Sequence, residues 1–182
     1  MRRITLGIIA AALLLGGAAG AQEGDVYSRE GGYAGLAAVG AVQTQLGDQS
    51  TNWGGGLNGR VGWRGTRWFA FEIQSEFIAE FNDTSTRAYS FTGNAKVPIP
   101  LGIVEPYALA GMGLLYTRFK GTNSGDNTAF VTRWGVGVDI YTTKNWVVST
   151  EAAYVLPVGS GRNLDYVSLG IGFLYRLDGP TL

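Results

Sequence analysis

The sequence predicts an all-β fold, an eight-stranded antiparallel up-and-down barrel that crosses a membrane. In the segment 166–177 every second side chain is apolar, and the side chains between them are mostly small or polar. Segments with this two-residue period recur along the chain, and each has roughly ten or more residues, the length that a tilted transmembrane strand needs. The chain is also rich in glycine (29 of 182 residues) and in aromatic residues (12%), as transmembrane barrels are.

The beginning of the chain has the features of an export signal. Two arginines follow the first methionine, the apolar run at 4–15 is too short to span a membrane, and Ala19-Gly20-Ala21 is a small-x-small cleavage site. We therefore expect a signal peptide at 1–21 and a mature barrel domain at 22–182. The alternative is an uncleaved N-terminal anchor. Arg2 and Arg3 could belong to a twin-arginine export motif, but the rest of that motif is absent, which favours ordinary secretion.

Charge and cysteine content limit the partners. The whole chain has 14 basic and 14 acidic residues, and loss of a signal peptide with two arginines and no acid leaves a net charge of −2. No basic patch stands out, so we expect no nucleic-acid partner. Cysteine is absent although the destination is oxidising, so stability must come from strand pairing and packing.

The chain contains no histidine, and this excludes the commonest chemistry of hydrolases. Without histidine or cysteine, neither a serine activated by a histidine base nor a thiolate nucleophile can form. Zinc loses its commonest ligands as well. Carboxylates such as Glu72 and Glu76 lie on one strand face beside arginines, which favours an ion-pair network over acid–base catalysis. We expect no catalytic residue, no cofactor and no metal.

Alternation and turn residues predict the strand positions. The eight strands are expected at 32–42, 53–64, 68–81, 87–97, 104–119, 128–141, 146–156 and 166–177. Long loops are expected at 43–52, 82–86, 120–127 and 157–165, and shorter connections between the other strands, the first of them at 65–67. An even strand number places both termini in the periplasm. The sequence leaves open the registers of strands 1 and 5; strand 1 is small or apolar on both faces.

Aromatic residues cluster at the predicted strand ends. Amphipathic rings prefer the interface between a membrane and water, so two girdles are expected there. The predicted girdle residues are Trp53, Trp63, Trp68, Phe81, Tyr89, Phe130, Trp146, Tyr154, Tyr166 and Tyr175. The alternative is that aromatic residues are simply common in strands.

The faces opposite the apolar ones carry charged residues. An eight-stranded barrel is only wide enough for its side chains to fill it, so these charges must pair inside. The predicted interior network is Arg60, Glu72, Glu76, Lys96, Arg133, Asp139, Glu151 and Arg176, with Arg64 and Glu80 as further inward candidates. Counting from the neighbouring turns predicts Arg60, Glu72 and Lys96 at one height, as a lateral chain of alternating charge. Inward glycines would leave room for these long side chains. A packed polar plug is the expected structure, and a narrow ion path is the alternative.

Several motifs point to a known family. They are WGVGVD at 134–139, KNW at 144–146, EAAY at 151–154, DYVSLGIGFLYR at 165–176, TGNAK at 92–96, and Pro106-Tyr107 followed by Gly111 and Gly113. With these motifs the chain resembles the small OmpA/OmpX-like outer-membrane β-barrel family. The resemblance implies an eight-stranded barrel in the outer membrane of a Gram-negative cell. It departs from the family at the last strand, which ends on Leu177 where an aromatic residue is usual, followed by a tail at 178–182.

The expected role follows from the fold and from what is excluded. We expect a non-enzymatic, monomeric barrel that serves membrane integrity or surface interaction such as adhesion, through loops whose composition names no ligand. Its expected partners are outer-membrane lipids, lipopolysaccharide and the barrel assembly machinery. The alternatives are a small pore or a carrier for small solutes or hydrophobic ligands, and a soluble periplasmic binding barrel.

Overall fold

The computed structural model of the protein describes Tyr27 and residues 29–44, 53–81, 86–119, 125–158 and 165–177. The predicted signal peptide, the tail after Leu177 and most of the four predicted loops lie outside the described residues. Within the described part of the chain, no helix is long and apolar enough to cross a membrane.

Eight strands form one closed barrel. They are β1 (Gly31–Gln43), β2 (Trp53–Thr66), β3 (Phe69–Phe81), β4 (Thr86–Pro98), β5 (Val104–Phe119), β6 (Gly125–Tyr141), β7 (Trp146–Val158) and β8 (Tyr166–Arg176). Each strand pairs antiparallel with its neighbours in sequence, and β8 pairs with β1 to close the barrel. Closure leaves no free strand edge, which is the condition for a sheet to span a bilayer. The predicted fold class is confirmed.

The two ends of the barrel differ in their connections. The connections β2–β3, β4–β5 and β6–β7 lie at one end together with the start of β1 and the end of β8, and we call this the turn end. At the opposite end, the loop end, the chain leaves the described strands for the four predicted loops.

The strand boundaries differ from the prediction by two or more residues at three places, and elsewhere by one residue or none. β2 continues through Thr66, so the β2–β3 turn consists of Arg67 and Trp68 and lies later than the predicted 65–67. β6 begins at Gly125 because it pairs with the full length of β5, although its first residues belong to a polar stretch. β7 continues through Pro157, a position close enough to the strand end that the missing N–H disrupts little of the ladder.

Alternation along the strands determines which side chains face outward. On β8, Leu169, Ile171 and Phe173 are exposed on the outer wall, while Ser168 and Leu174 are buried in the lumen. The structure also determines the register of β1, which the sequence left open: Tyr33 faces the lumen and Leu36 faces outward. An apolar exterior around a polar interior is the inverse of a soluble barrel and is typical of a barrel that meets lipid.

Candidate functional site

The lumen contains all eight residues that the sequence assigned to the interior network. Each lies on a strand and is at most 6% exposed. They are Arg60, Glu72, Glu76, Lys96, Arg133, Asp139, Glu151 and Arg176. Arg64 is buried among them, and so is Glu105, which the prediction missed because the register of strand 5 was open. The side chain of Glu80 lies outside the described residues.

The charges pair mainly across the lumen. At the turn end, Arg64 Nη1 lies 2.7 Å from Glu105 Oε1, which joins β2 to β5. Lys96 Nζ lies 2.8 Å from Asp139 Oδ2, which joins β4 to β6. Because neither pair joins adjacent strands, each ion pair is a strut between separate parts of the wall.

Two further struts lie closer to the loop end and share partners. Arg60 Nη1 lies 3.0 Å from Glu151 Oε2, and Arg133 Nη2 lies 2.8 Å from Glu151 Oε1. The same Arg133 nitrogen lies 3.1 Å from Glu76 Oε2. We call the pairs Arg64–Glu105, Lys96–Asp139, Arg60–Glu151 and Arg133–Glu76 the charge ladder.

The predicted lateral chain of Arg60, Glu72 and Lys96 is wrong in its register. Arg60 lies opposite Gln74, and Glu72 lies opposite Asn94. The count failed because the β2–β3 turn lies later than predicted and because the β3–β4 pairing is irregular between Ile78 and Phe81. Arg60 and Glu72 still approach to 4.0 Å, whereas Lys96 binds Asp139 instead.

Buried tyrosines complete the network. Tyr33 donates to Glu72 Oε2 at 3.0 Å, and Tyr107 donates to Glu151 Oε2 at 3.0 Å. The glycines opposite them on the neighbouring strands give these rings their space, because a Cβ at Gly62 or at Gly137 would overlap the ring of Tyr33 or of Tyr107. The prediction that inward glycines make room was directed at charged side chains. At Gly62 and Gly137 this room is taken by tyrosines.

Tyr166 is a correction to the predicted girdles. It is 1% exposed, and its hydroxyl donates to Glu76 Oε1 at 2.9 Å inside the lumen. The reason is strand alternation: Tyr166 lies on the same face of β8 as Ser168 and Arg176, both of which are buried. The position of an aromatic residue at a strand end does not decide its face, whereas its spacing from a charged inward residue does.

The other girdle residues whose side chains are described lie on the outer wall. Those exposed there, close to strand ends, are Trp53, Trp63, Trp68, Tyr89, Phe130, Trp146 and Tyr175. Tyr154 is half-buried and donates its hydroxyl to Asp165 Oδ2 at 2.6 Å. The side chain of Phe81 lies outside the described residues.

The buried strand charges balance. Among the described side chains that face the lumen, five cations are matched by five carboxylates. They are Arg60, Arg64, Lys96, Arg133 and Arg176 against Glu72, Glu76, Glu105, Asp139 and Glu151. A lone buried ion costs several kcal/mol, so a neutral, hydrogen-bonded set is what this interior requires. Carboxylates that all accept hydrogen bonds or ion pairs in this way are suited to holding the walls together.

Apolar residues close the lumen near both of its ends. A cluster near the loop end, the loop-end layer, consists of Val39, Ala41, Ile78, Ala88, Leu115, Val131, Val155 and Tyr166. A second cluster, the turn-end layer, consists of Tyr33, Ala70, Tyr141, Val147 and Leu174. The loop-end layer is mostly aliphatic, whereas the turn-end layer lies level with the polar groups of Arg64 and Arg176. Alternation predicted Leu174 on the inward face of the last strand, whereas the sequence analysis did not single out the other inward apolar residues.

The fold and the packed lumen define a class of protein, the small integral β-barrel. A family model described as "Outer membrane protein beta-barrel domain" matches residues 9–176. The chain belongs to this family, as its resemblance to small outer-membrane barrels led us to expect. A search of curated proteins finds no match.

Solved structures of bacterial outer-membrane and surface proteins share the fold. Neisserial surface protein A (NspA) superposes with a TM-score of 0.69 at 17% identity, over 80% of this chain and 97% of that one. Ail, the attachment invasion locus protein of Yersinia pestis, gives 0.60 at 16% identity, over 82% and 100%. The outer membrane protein OprG of Pseudomonas aeruginosa gives 0.59 at 13% identity, over 85% and 100%. At these identities the likeness establishes the fold.

Proposed function

We propose that the protein is a non-enzymatic, non-conducting scaffold of the outer membrane that presents its loop end at the cell surface. The observation that carries this proposal is the closed lumen, in which a neutral charge ladder lies beneath an aliphatic layer. A barrel filled in this way has no room for a substrate or a solute inside. Its remaining surfaces are the lipid-facing wall and the two ends.

The packing of the lumen weighs against a pore or an internal carrier. An ion on the barrel axis would have to break struts such as Arg60–Glu151 and then cross the loop-end layer, where Ile78, Val131 and Val155 have no exposed surface. Both steps are costly, because a separated buried pair leaves uncompensated charge and an apolar constriction excludes water. Eight strands also give too narrow a barrel for an aqueous channel.

The chemistry of the chain supports a role without catalysis. The whole sequence has no histidine and no cysteine. The buried carboxylate Glu151 is held by four side chains, which are Arg60, Arg133, Tyr107 and Gln74. A carboxylate with four partners is poorly placed to exchange protons with a substrate.

The surface role rests on topology and analogy. An even-stranded barrel has both termini on one side, so we infer that the turn end lies in the periplasm and the loop end outside the cell. We also propose that residues 1–21 are a signal peptide. Ail, which shares the fold, is described as an attachment invasion locus protein. We infer an adhesive or protective role for the loop end here, in a monomer that contacts lipids and lipopolysaccharide along its wall and is inserted by the barrel assembly machinery.

Single-channel recording in a planar bilayer tests the scaffold. The refolded protein is inserted, and its insertion is verified independently by protection from protease. The closed lumen predicts a quiet membrane. Reproducible conductance steps that change in an Arg60→Gln variant would show a conducting lumen and refute the proposal.

A further inference from the structure

Two residues that precede β1 lie against the turn end of the barrel. Tyr27 is half-buried and packs on the turn-end layer, with its ring centroid 5.3 Å from that of Tyr141. The Arg176 guanidinium, on the last residue of β8, donates to the backbone carbonyl of Tyr27 at 3.3 Å and to that of Arg29. One buried cation therefore holds the backbone of this segment at two points.

The same segment is tied to the β6–β7 turn. Arg29 Nη2 donates to the Lys144 carbonyl at 3.0 Å. Within that turn, Asn145 Nδ2 donates to the Arg176 carbonyl at 2.8 Å, and the Arg176 N–H donates to the Asn145 carbonyl at 2.8 Å. The segment, the turn and the end of β8 thus form one hydrogen-bonded unit.

The cavity beside this unit belongs to the base of the charge ladder. It has a volume of about 20 Å³, and its lining includes Arg64, Glu105, Tyr141 and Arg176. A space of this size admits about one water molecule. Tyr141 links Tyr27 to the charge ladder. Its ring faces Tyr27, and its hydroxyl accepts a hydrogen bond from Arg64 at 3.4 Å.

We propose that Tyr27 and Arg29 form a clasp that binds across the opening of the lumen at the turn end, which we call the mouth, and closes the lumen to solvent there. The barrel offers three groups there: the Arg176 guanidinium for backbone carbonyls, the Tyr141 ring for an aromatic side chain, and the Lys144 carbonyl for a cation. Their occupants are the chain's own Tyr27 and Arg29. The inference goes beyond the proposed function, because it stands whether or not the loop end binds a partner.

Solvent access to one end at a time tests the clasp. The chain has no cysteine, so a single introduced thiol reports on its own site. Ala70→Cys places a reporter in the turn-end layer, where it lines the cavity, and Ala88→Cys places one in the loop-end layer. Both positions are buried. The labelling rate by a small charged methanethiosulfonate is measured on each refolded reporter, with and without the clasp substitutions Tyr27→Ala and Arg29→Ala.

The clasp predicts a change at one end alone. Labelling at position 70 should rise by about tenfold, because an aromatic contact and a hydrogen bond to a charged group are lost together. Labelling at position 88 should be unchanged. Glu30→Ala, an exposed substitution next to the clasp, should leave both labelling rates unchanged. Tyr27→Phe keeps the aromatic ring, so in a protein that retains Arg29 the labelling rate at position 70 should stay low.

Two results would overturn the proposal. Equal labelling at position 70 with and without the clasp would show that the barrel closes its own mouth. A rise at both reporters would show that the substitutions loosen the whole barrel. Migration of the unheated protein on a gel, compared with that of the heated protein, confirms in each case that the variant has folded.

Discussion

The two ends of the lumen are closed in different ways. At the loop end, Ile78, Leu115, Val131 and Val155 meet inside the barrel and are at most 1% exposed. At the turn end, fewer apolar residues are interleaved with arginine, and Tyr27 from outside the barrel adds to them. One closure is part of the strands themselves, whereas the other depends on a docked segment.

This difference indicates how the charge ladder is protected. The struts at Arg133 and Glu76 lie beneath strand residues that cannot move without opening the barrel. The Arg64–Glu105 strut lies beside the clasp, which can detach by breaking a few contacts. Local unfolding generally begins in the regions with the fewest buried apolar contacts, so the turn end should open to solvent before the loop end does.

The largest expected effect lies between the two ends, at Arg133, which binds two carboxylates. Arg133→Met leaves Glu76 and Glu151 without their shared cation and should lower the free energy of unfolding by about 3–5 kcal/mol. Urea unfolding in detergent micelles, followed by tryptophan fluorescence, measures this loss. Arg67→Met is the matched control, because Arg67 is exposed and its side chain contacts Trp68 on the outer wall. Equal stability of the two variants would contradict a structural ladder.

Glu72→Ala should have the next largest effect. Its carboxylate accepts from Tyr33 and Gln74 and lies near Arg60, so its loss should cost about 2–3 kcal/mol. The same unfolding experiment measures it, and binding at the cell surface should remain unchanged. Unaltered unfolding would show that Glu72 is not part of a stabilising network.

A pair of valines on β7 compares the ends directly. Val155 belongs to the loop-end layer and Val147 to the turn-end layer, and both are at most 1% exposed. Val155→Ala should cost about 2 kcal/mol, because its aliphatic neighbours leave a dry cavity. Val147→Ala should cost about half as much, because a cavity beside polar groups can admit water. Equal losses would remove the distinction between the two closures.

The two-residue alternation of side chains predicted more of this molecule than counting residue positions from the turns did. Period-two patterns located eight strands and placed Arg60, Glu72, Glu76 and Lys96 inside, because strand geometry leaves each side chain only two directions. Pairing partners were not predictable in the same way. In the four pairs of the charge ladder the partners lie on strands that are not adjacent, so they depend on every intervening register. The Arg67-Trp68 turn, which lies later than predicted, was enough to shift the predicted pairs. The clasp carries no periodic signal, since Tyr27 and Arg29 lie in a polar lead-in.

The most direct test of the cross-lumen ladder is a double-mutant cycle on Lys96 and Asp139, whose charged atoms are 2.8 Å apart. Unfolding free energies are measured for the wild type, for Lys96→Met, for Asp139→Asn and for the double variant. A control cycle combines Lys96→Met with Glu30→Gln, a substitution at an exposed position. If the ladder holds the barrel together as paired charges, each single change should cost about 3–5 kcal/mol. The double variant should then cost less than the sum by about 2 kcal/mol, and the control cycle should be additive. Additivity within about 0.5 kcal/mol for Lys96 and Asp139 would contradict the account, because the two charges would then act independently.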